Sequence, residues 1–152
     1  MTSKESQSAF VLDERLSQDC HLLADLPFCR LLLMNNALLP WLILVPNSDK
    51  TELHELTEAQ QLALMKEINL VSRFAQQHFT PDKLNVAAIG NIVRQMHIHI
   101  VARKTDDICW PGVVWGVKQK TAYGQVQLER IAESLKTFLP PDTHFHPLKR
   151  KA

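Results

Sequence analysis

Short runs of apolar residues, separated by polar turns, predict that much of this chain forms β-strands. Residues 29–34 and 41–45 are two such runs. Asn35 and Asn36 between them suit a turn, because asparagine tolerates left-handed backbone. Two apolar runs divided by a short turn predict an antiparallel pair of buried strands.

A second antiparallel pair is predicted further along the chain. Residues 84–89 are mostly apolar and read as a strand. Gly90-Asn91 follows, a dipeptide that is typical of tight hairpin turns. Residues 92–103 would then form the returning strand.

Apolar residues at helical spacing predict two helices. Thr57 and Gln60 form a capping box, which marks the start of a long helix that ends before Pro81. Its apolar stripe is expected to be Leu62, Met65, Ile68, Leu70, Val71 and Phe74. Residues 125–139 predict a C-terminal helix. Strands, a helix, a hairpin and a second helix in this order indicate an α+β fold.

The length and composition are those of one soluble globular domain. The chain has 152 residues, which suffices for a hydrophobic core, and we expect a single domain over 1–152 with flexible ends at 1–9 and about 140–152. A net charge of +1 gives no reason to expect a nucleic acid or a membrane surface as partner. Three cysteines without a Cys-x-x-Cys spacing, and no apolar run of membrane-spanning length, predict a cytoplasmic protein.

The polar pattern of residues 95–101 stands out against this apolar background. Side chains alternate between the two faces of a strand, so Gln95, His97 and His99 would share one face. Ile98 and Ile100 would then face the core. Two imidazoles and an amide in line on an otherwise apolar strand indicate a functional site.

The spacing alone leaves three interpretations open. The histidines could be structural, they could bind a metal ion, or they could act in catalysis. Metal binding by His97 and His99 needs a third ligand. His21, His54 and His78 are candidates, but none stands in a recognisable ligand motif.

Residues 95–101 resemble the signature of the histidine triad (HIT) superfamily, in which three histidines alternate with apolar residues. Gln95 stands in the first triad position, and His97 and His99 fill the second and third. Residues 31–46 are similar to the strand–turn–strand that ends in proline in this superfamily, and Trp110-Pro111 resembles an element that follows the triad. The pattern is similar to a bacterial branch in which glutamine opens the triad.

The resemblance implies both a fold and a chemistry. The fold is α+β, with an antiparallel sheet, a long helix and a C-terminal helix, and the sheet continues across a homodimer. The chemistry is hydrolysis or transfer at an α-phosphate, without a metal or another cofactor. The substrate would be a purine nucleotide or a nucleotidyl conjugate such as a dinucleoside polyphosphate. His97 would be the covalent nucleophile, since imidazole, with a pKa of about 6.5, is largely neutral near pH 7. His99 would donate to a phosphate oxygen or to the leaving group.

The resemblance also assigns supporting residues. A backbone carbonyl at the first triad position orients the nucleophile, so the exchange to Gln95 keeps this function while Gln95 itself would hold phosphate. Asn35 matches a position that binds ribose hydroxyls, and Asn91 lies at the predicted hairpin tip near the phosphates. Trp110 would close over the base or pack where the two protomers meet. Trp41 falls where many members carry another histidine.

Two other functions stay open at this point. The same pocket could hold a purine nucleotide with little turnover, because Gln95 and Trp41 make the site less polar than in other members. Alternatively, His97 and His99 could bind a metal ion.

Overall fold

The computed structural model of the protein describes residues 10–152 and contains one six-stranded sheet. All neighbouring strands are antiparallel, in the order β4-β5-β3-β2-β1-β6. The strands are β1 (Cys20–Asp25), β2 (Cys29–Met34), β3 (Trp41–Pro46), β4 (Lys83–Ala88), β5 (Ile98–Arg103) and β6 (His144–Phe145). The helices are α1 (Glu14–Asp19), α2 (Glu58–Phe79) and α3 (Gln125–Phe138), with a 3₁₀ turn at Leu53–Glu55. The predicted α+β fold, with an antiparallel sheet, a long helix and a C-terminal helix, is confirmed. The polar segment 1–9, which we expected to be flexible, lies outside the described residues.

The sheet separates two apolar clusters because residues alternate between its faces. One face packs against α2 and α3, with Leu31 and Leu42 among its buried residues. The opposite face carries Leu32, Ile43 and Val101 and packs against α1 and the segment after β5. His99 lies opposite Ile43 in the β3–β5 ladder and therefore belongs to this second face.

Helix α2 begins at the predicted capping box, and its buried face matches the predicted stripe in part. The Gln60 backbone N–H donates to Thr57 Oγ1 at 3.2 Å, and the Gln60 amide oxygen accepts from the Thr57 N–H at 3.0 Å. Leu62 and Met65, placed on the apolar stripe by the sequence, are more than half exposed. Val71 and Phe74 of the predicted stripe are buried, together with Leu64, Glu67 and Ala75, which lie outside it.

The polar residue Glu67 explains why part of the buried face of α2 was misassigned. Its carboxylate accepts hydrogen bonds from the backbone N–H groups of Phe28 and Cys29, at 2.7 and 2.8 Å. These bonds fasten the helix to the start of β2, where two backbone donors would otherwise be buried without partners. A buried carboxylate in the middle of the face breaks the apolar pattern by which such a face is recognised.

The predicted tight turn at Gly90-Asn91 is wrong, although β4 and β5 do pair. The ladder ends where Ala88 pairs with Ile98, so residues 89–97 form a loop and β5 starts six residues later than predicted. Met96 from this loop is buried in the cluster beneath the helices. This apolar anchor holds the loop in place without a strand, which a two-residue turn signal does not reveal.

The C-terminal segment, expected to be flexible from about residue 140, packs on the sheet instead. Ala24 pairs with Phe145 and Asp25 with His144, and the His146 N–H donates to the Leu23 carbonyl at 2.9 Å. The Lys151 ammonium donates to backbone carbonyls of Ser17 and Cys20. The segment satisfies backbone groups along the outer edge of β1 that would otherwise lack partners.

Candidate active site

His97 lies immediately before β5 and is held by the backbone of the loop that precedes it. Its Nδ1 is 2.7 Å from the Gln95 carbonyl oxygen. A carbonyl oxygen can only accept, so Nδ1 carries the proton and donates it to this bond. The Nε2 atom of the neutral ring therefore keeps a free lone pair. The prediction that the backbone at position 95 orients this histidine agrees with this geometry.

His99 has the opposite tautomer because of Trp41. The indole Nε1–H of Trp41 donates to His99 Nδ1 at 2.9 Å. Indole is a donor only, so His99 Nδ1 must be unprotonated and the proton of the neutral ring lies on Nε2. The His97 and His99 rings are 4.7 Å apart, centroid to centroid.

Burial keeps His99 neutral at physiological pH. Desolvation is the main cause that lowers the pKa of His99 to about 4, and the nearby His97 lowers it further. A hydrogen bond with the backbone of Ile89 partly opposes this by raising the pKa. His99 can then offer its Nε2–H as a hydrogen-bond donor, but as a neutral ring it is a weak proton donor.

Both histidines open into a cavity of about 410 Å³ on the face of the sheet opposite α2. Its walls combine apolar and aromatic side chains with positive charge from Arg15, Lys118 and Lys120 and a single carboxylate, Asp19. His97 also borders a second cavity of about 730 Å³, lined by Arg94 and the 3₁₀ turn. His97 thus stands between two spaces, one of which combines apolar walls with cationic side chains.

Of the residues predicted to bind substrate (Gln95, Asn35, Asn91 and Trp110), Asn91 borders these cavities and the other three do not. Asn91 is exposed and lines both the smaller and the larger one. The sequence predicted Asn91 near the phosphates as part of a tight turn. In the structure it belongs to the longer loop of residues 89–97 and borders the same cavities as His97.

The Gln95 side chain does not point along the line of the histidines, contrary to our expectation. Its amide oxygen accepts from the Asp13 backbone N–H at 2.8 Å, and its amide nitrogen donates to the Val11 carbonyl at 2.9 Å. The strand alternation that predicted a shared face fails because β5 begins only at Ile98. Gln95 contributes its backbone to His97 and its side chain to the segment before α1.

Asn35 and Trp110 also lie elsewhere than predicted. Asn35 is buried, and its Oδ1 accepts from the Tyr123 N–H at 3.0 Å and lies 3.1 Å from His21 Nε2. The neighbouring Asn36 borders the smaller cavity in its place. Trp110 follows the far end of β5, where the Arg103 guanidinium lies 5.4 Å from its ring centroid. These contacts give both residues structural roles.

The sequence interpretation missed Trp115, which forms an aromatic wall of the smaller cavity. Its ring lies 5.3 Å from His99 and 5.9 Å from Trp41, both in edge-to-face geometry. Its Nε1–H is buried and has no hydrogen-bond partner among residues 10–152. Lys118 and Lys120 follow on the same segment, after a turn at Gly116 whose φ of +94° suits glycine. The sequence signal that could have indicated this wall is Trp115, followed by Gly116 and then by Lys118 and Lys120.

A third metal ligand beside His97 and His99 is not found in the described part of the chain. His21 is bonded to Asn35, and His78 Nδ1 lies 2.9 Å from the Ser134 hydroxyl. Within residues 10–152, the only three histidine, cysteine or carboxylate side chains close enough to share an ion lie elsewhere. His54, the remaining candidate, borders the larger cavity together with His97. The site therefore presents one imidazole with a free Nε2 lone pair and one neutral imidazole with its proton on Nε2.

Comparison with known proteins relates the chain to one family. The HIT domain family matches residues 15–106. A crystal structure of a histidine triad protein from Bradyrhizobium japonicum is 42% identical, with a TM-score of 0.81, over 84% of this chain and 96% of that one. A HIT protein from Sinorhizobium meliloti is 39% identical, with a TM-score of 0.83, over 88% and 99%. A histidine triad protein from Marinobacter aquaeolei is 40% identical, with a TM-score of 0.81, over 86% and 96%. None of the curated proteins compared with the chain matches it.

Proposed function

Because the chain belongs to the histidine triad (HIT) family, we propose that it is a nucleotide hydrolase or transferase that cleaves its substrate at an α-phosphate. The observation that carries this proposal is the bond between His97 Nδ1 and the Gln95 carbonyl, 2.7 Å long. It leaves Nε2 unprotonated and directed away from the backbone, as a nucleophile requires.

The reaction has two displacements at phosphorus. His97 Nε2 attacks the α-phosphorus, a P–N bond forms, and the bond to the leaving group breaks with its electron pair. The ring becomes a phosphorylated imidazolium, whose positive charge is stabilised by the Gln95 carbonyl that accepts from Nδ1–H. Water then attacks phosphorus, gives up a proton to solvent, and returns the P–N electron pair to Nε2. An alcohol or amine in place of water would make the reaction a transfer.

His99 stabilises charge on the phosphate in this scheme. Its tautomer leaves Nε2–H as the only N–H of the ring. In place of the backbone of Ile89, this N–H would donate to a non-bridging phosphate oxygen, where negative charge is concentrated during displacement. A pKa of about 4 does not suit it to protonate a leaving group near pH 7. Of the two roles predicted for His99, the structure favours the bond to phosphate oxygen.

The remaining walls of the cavity suit a nucleotide. Arg15, Lys118 and Lys120 supply positive charge for the phosphates, and Asn91 supplies a neutral donor and acceptor. Apolar and aromatic side chains, Trp115 among them, would contact a purine base. A purine nucleotide or a nucleotidyl conjugate, including a dinucleoside polyphosphate, is therefore the proposed substrate.

Two further statements belong to this proposal and stay predictions. One is a homodimer in which the sheet continues from one protomer to the next; the other is a cytoplasmic location. None of the helices in residues 10–152 has the length and apolar character that a membrane span requires.

A covalent adduct provides the direct test. The protein is mixed with a dinucleoside polyphosphate or an adenosine phosphoramidate, quenched, and examined by intact-mass spectrometry. We expect a mass increase of one nucleotidyl group, which is absent in His97→Ala, together with a loss of turnover of at least ~10³-fold. His78→Ala, which removes a histidine on the other side of the sheet, is the matched control.

Nucleotide affinity and the metal content of the protein, measured alongside the adduct, distinguish the alternatives. Tight nucleotide binding without adduct or product would identify a binding protein with little turnover, a function consistent with the place of Trp41 beside His99. Stoichiometric metal that is lost in His97→Ala would identify a metal protein. Either outcome would contradict the proposed hydrolase or transferase.

A further inference from the structure

Three potential metal ligands meet at the edge of the sheet far from His97. Asp25 ends β1, and its direct partner in the ladder is His144 of β6. His146 lies two residues after His144, so both imidazoles share one side of the C-terminal segment. One donor atom from each of the three side chains lies within 4.8 Å of the other two.

The local hydrogen bonding leaves this cluster unsatisfied. His146 Nε2 lies 3.0 Å from Asp25 Oδ2, but the pair is not aligned for a hydrogen bond. Among the residues described, His146 Nε2 and Asp25 Oδ1 are buried atoms without a hydrogen-bond partner. Buried polar atoms without partners are uncommon in native proteins and call for a specific explanation, such as an ion.

We propose that Asp25, His144 and His146 bind a divalent cation of the zinc class. Two imidazoles and one carboxylate are ligands that Zn²⁺ and neighbouring transition metals prefer, whereas Mg²⁺ and Ca²⁺ prefer oxygen. Tetrahedral ligands at about 2.0–2.1 Å from one ion lie roughly 3.3–3.4 Å apart. The 3.0 Å between His146 Nε2 and Asp25 Oδ2 is slightly shorter than this, and the His144 donor atom lies within 4.8 Å of both. Small side-chain movements would place all three around one ion.

The surroundings leave room for further ligands. Asp25 and His144 line a cavity of about 720 Å³, from which water or a small anion could fill the open coordination position. The Arg30 Nε lies 3.8 Å from Asp25 Oδ1, whereas His146 Nε2 approaches the other oxygen, Oδ2. Arg30 therefore makes no close contact that occupies Oδ2.

A bound cation would connect the C-terminal segment to the sheet. Strand β6 has only two residues and pairs with β1 alone, so its attachment depends on few contacts. Ligands from both strands would couple cation binding to the docking of this segment. We therefore expect Zn²⁺ to raise the melting temperature and to slow proteolysis near residue 144.

Equilibrium dialysis of metal-free protein against Zn²⁺ tests this proposal. We expect one equivalent bound by the wild type and an affinity at least ~10-fold lower in the double variant His144→Ala/His146→Ala. His54→Ala, which removes an exposed histidine elsewhere, should bind like the wild type, and Mg²⁺ should not compete. Equal affinity of the double variant and the wild type, or the absence of stoichiometric binding by the wild type, would overturn the proposal.

Two further variants keep the test specific. Asp25→Asn preserves the shape of the side chain and should also weaken binding, so it serves if the double variant does not fold. His97→Ala/His99→Ala should keep the equivalent of Zn²⁺, because these residues lie three strands away on β5 and the loop before it. Loss of Zn²⁺ in that variant alone would place the ion at the candidate active site and contradict a site on the C-terminal segment.

Discussion

The hydrogen bond between Trp41 and His99 determines which form of this histidine the active site contains. The indole can only donate, so a proton on His99 Nδ1 would face another N–H across a distance of 2.9 Å. Formation of the imidazolium must therefore break this bond in addition to overcoming burial. In the proposed reaction, Trp41 would be a positioning residue, because its indole determines the tautomer of His99.

We predict that Trp41→Phe raises the pKa of His99 by about 1 from its value near 4, since loss of one net hydrogen bond to the neutral form corresponds to about that change. NMR titration of the histidine ring protons measures it. In the wild type, the unfolded chain binds this proton near pH 6.5 and the folded chain only near pH 4. The free energy of unfolding therefore falls as the pH drops between these values, by up to ~3 kcal/mol from this residue. The variant should lose less free energy of unfolding over the same pH interval.

Trp115→Phe is the matched control for this prediction. Trp115 contacts the same imidazole edge to face but makes no hydrogen bond to it. It should leave the pKa of His99 near 4. The same His99 pKa in Trp41→Phe and the wild type would show that burial alone keeps the ring neutral.

At the scale of elements, the Gln95 side chain connects the loop before β5 to the segment before α1. Its two hydrogen bonds, to Asp13 and Val11, join residues more than 80 positions apart in the chain. Asp13 also caps α1, since its Oδ1 accepts from the Arg15 N–H at 2.9 Å. The residue that departs from the triad signature thus positions the loop that carries His97.

We predict that Gln95→Ala keeps the nucleotidyl adduct on His97, because the carbonyl that orients the ring belongs to the backbone. The variant should lose about 1–2 kcal/mol of unfolding free energy and should exchange the Asp13 amide hydrogen faster. Intact-mass analysis, chemical denaturation and hydrogen exchange measure these effects. Gln76→Ala, at an exposed position of α2, should change none of them. Loss of the adduct, or a large rise in KM without loss of stability, would instead indicate that the Gln95 side chain binds phosphate.

The elements show how far the sequence could predict this structure. Short apolar runs and the Thr57 capping box located β2, β3 and the start of α2, since local patterning determines these features. The buried face of α2 depends on Glu67, whose carboxylate is satisfied by backbone groups of another element. The loop of residues 89–97 depends on the burial of Met96 beneath the helices. Both features arise from tertiary contacts that no local pattern records.

Residues of the candidate site that depend on tertiary contacts were likewise not predictable from the sequence. The motif predicted that His97 and His99 belong to one site, and the structure brings both to one cavity. Asn35 and Trp110 were assigned by position, but the structure uses them to hold Tyr123 and to cover Arg103. Trp115 belongs to a segment without regular structure, so its approach to His99 depends on how the chain folds back after β5.

At the scale of the whole molecule, the two edges of the sheet differ. The edge beyond β1 is covered by β6, whereas β4 forms the other edge, and no strand within residues 10–152 covers its outer side. Val86 in the middle of β4 is 48% exposed on the face that carries the helices. An uncovered edge strand with an apolar residue is a template for pairing with another strand. We expect two copies to join here, β4 against β4, which would continue the sheet across a homodimer.

We predict that Val86→Lys weakens this dimer by at least ~10-fold, because the two-fold symmetry would bring two like charges close together at the interface. Sedimentation velocity should give twice the mass of the 17.4 kDa chain for the wild type and a concentration-dependent shift toward that mass for the variant. Val126→Lys introduces the same charge at an exposed position of α3 and should remain dimeric. A wild type that sediments as a monomer at micromolar concentration would refute the dimer. A dimer that Val86→Lys leaves intact would place the interface at another surface.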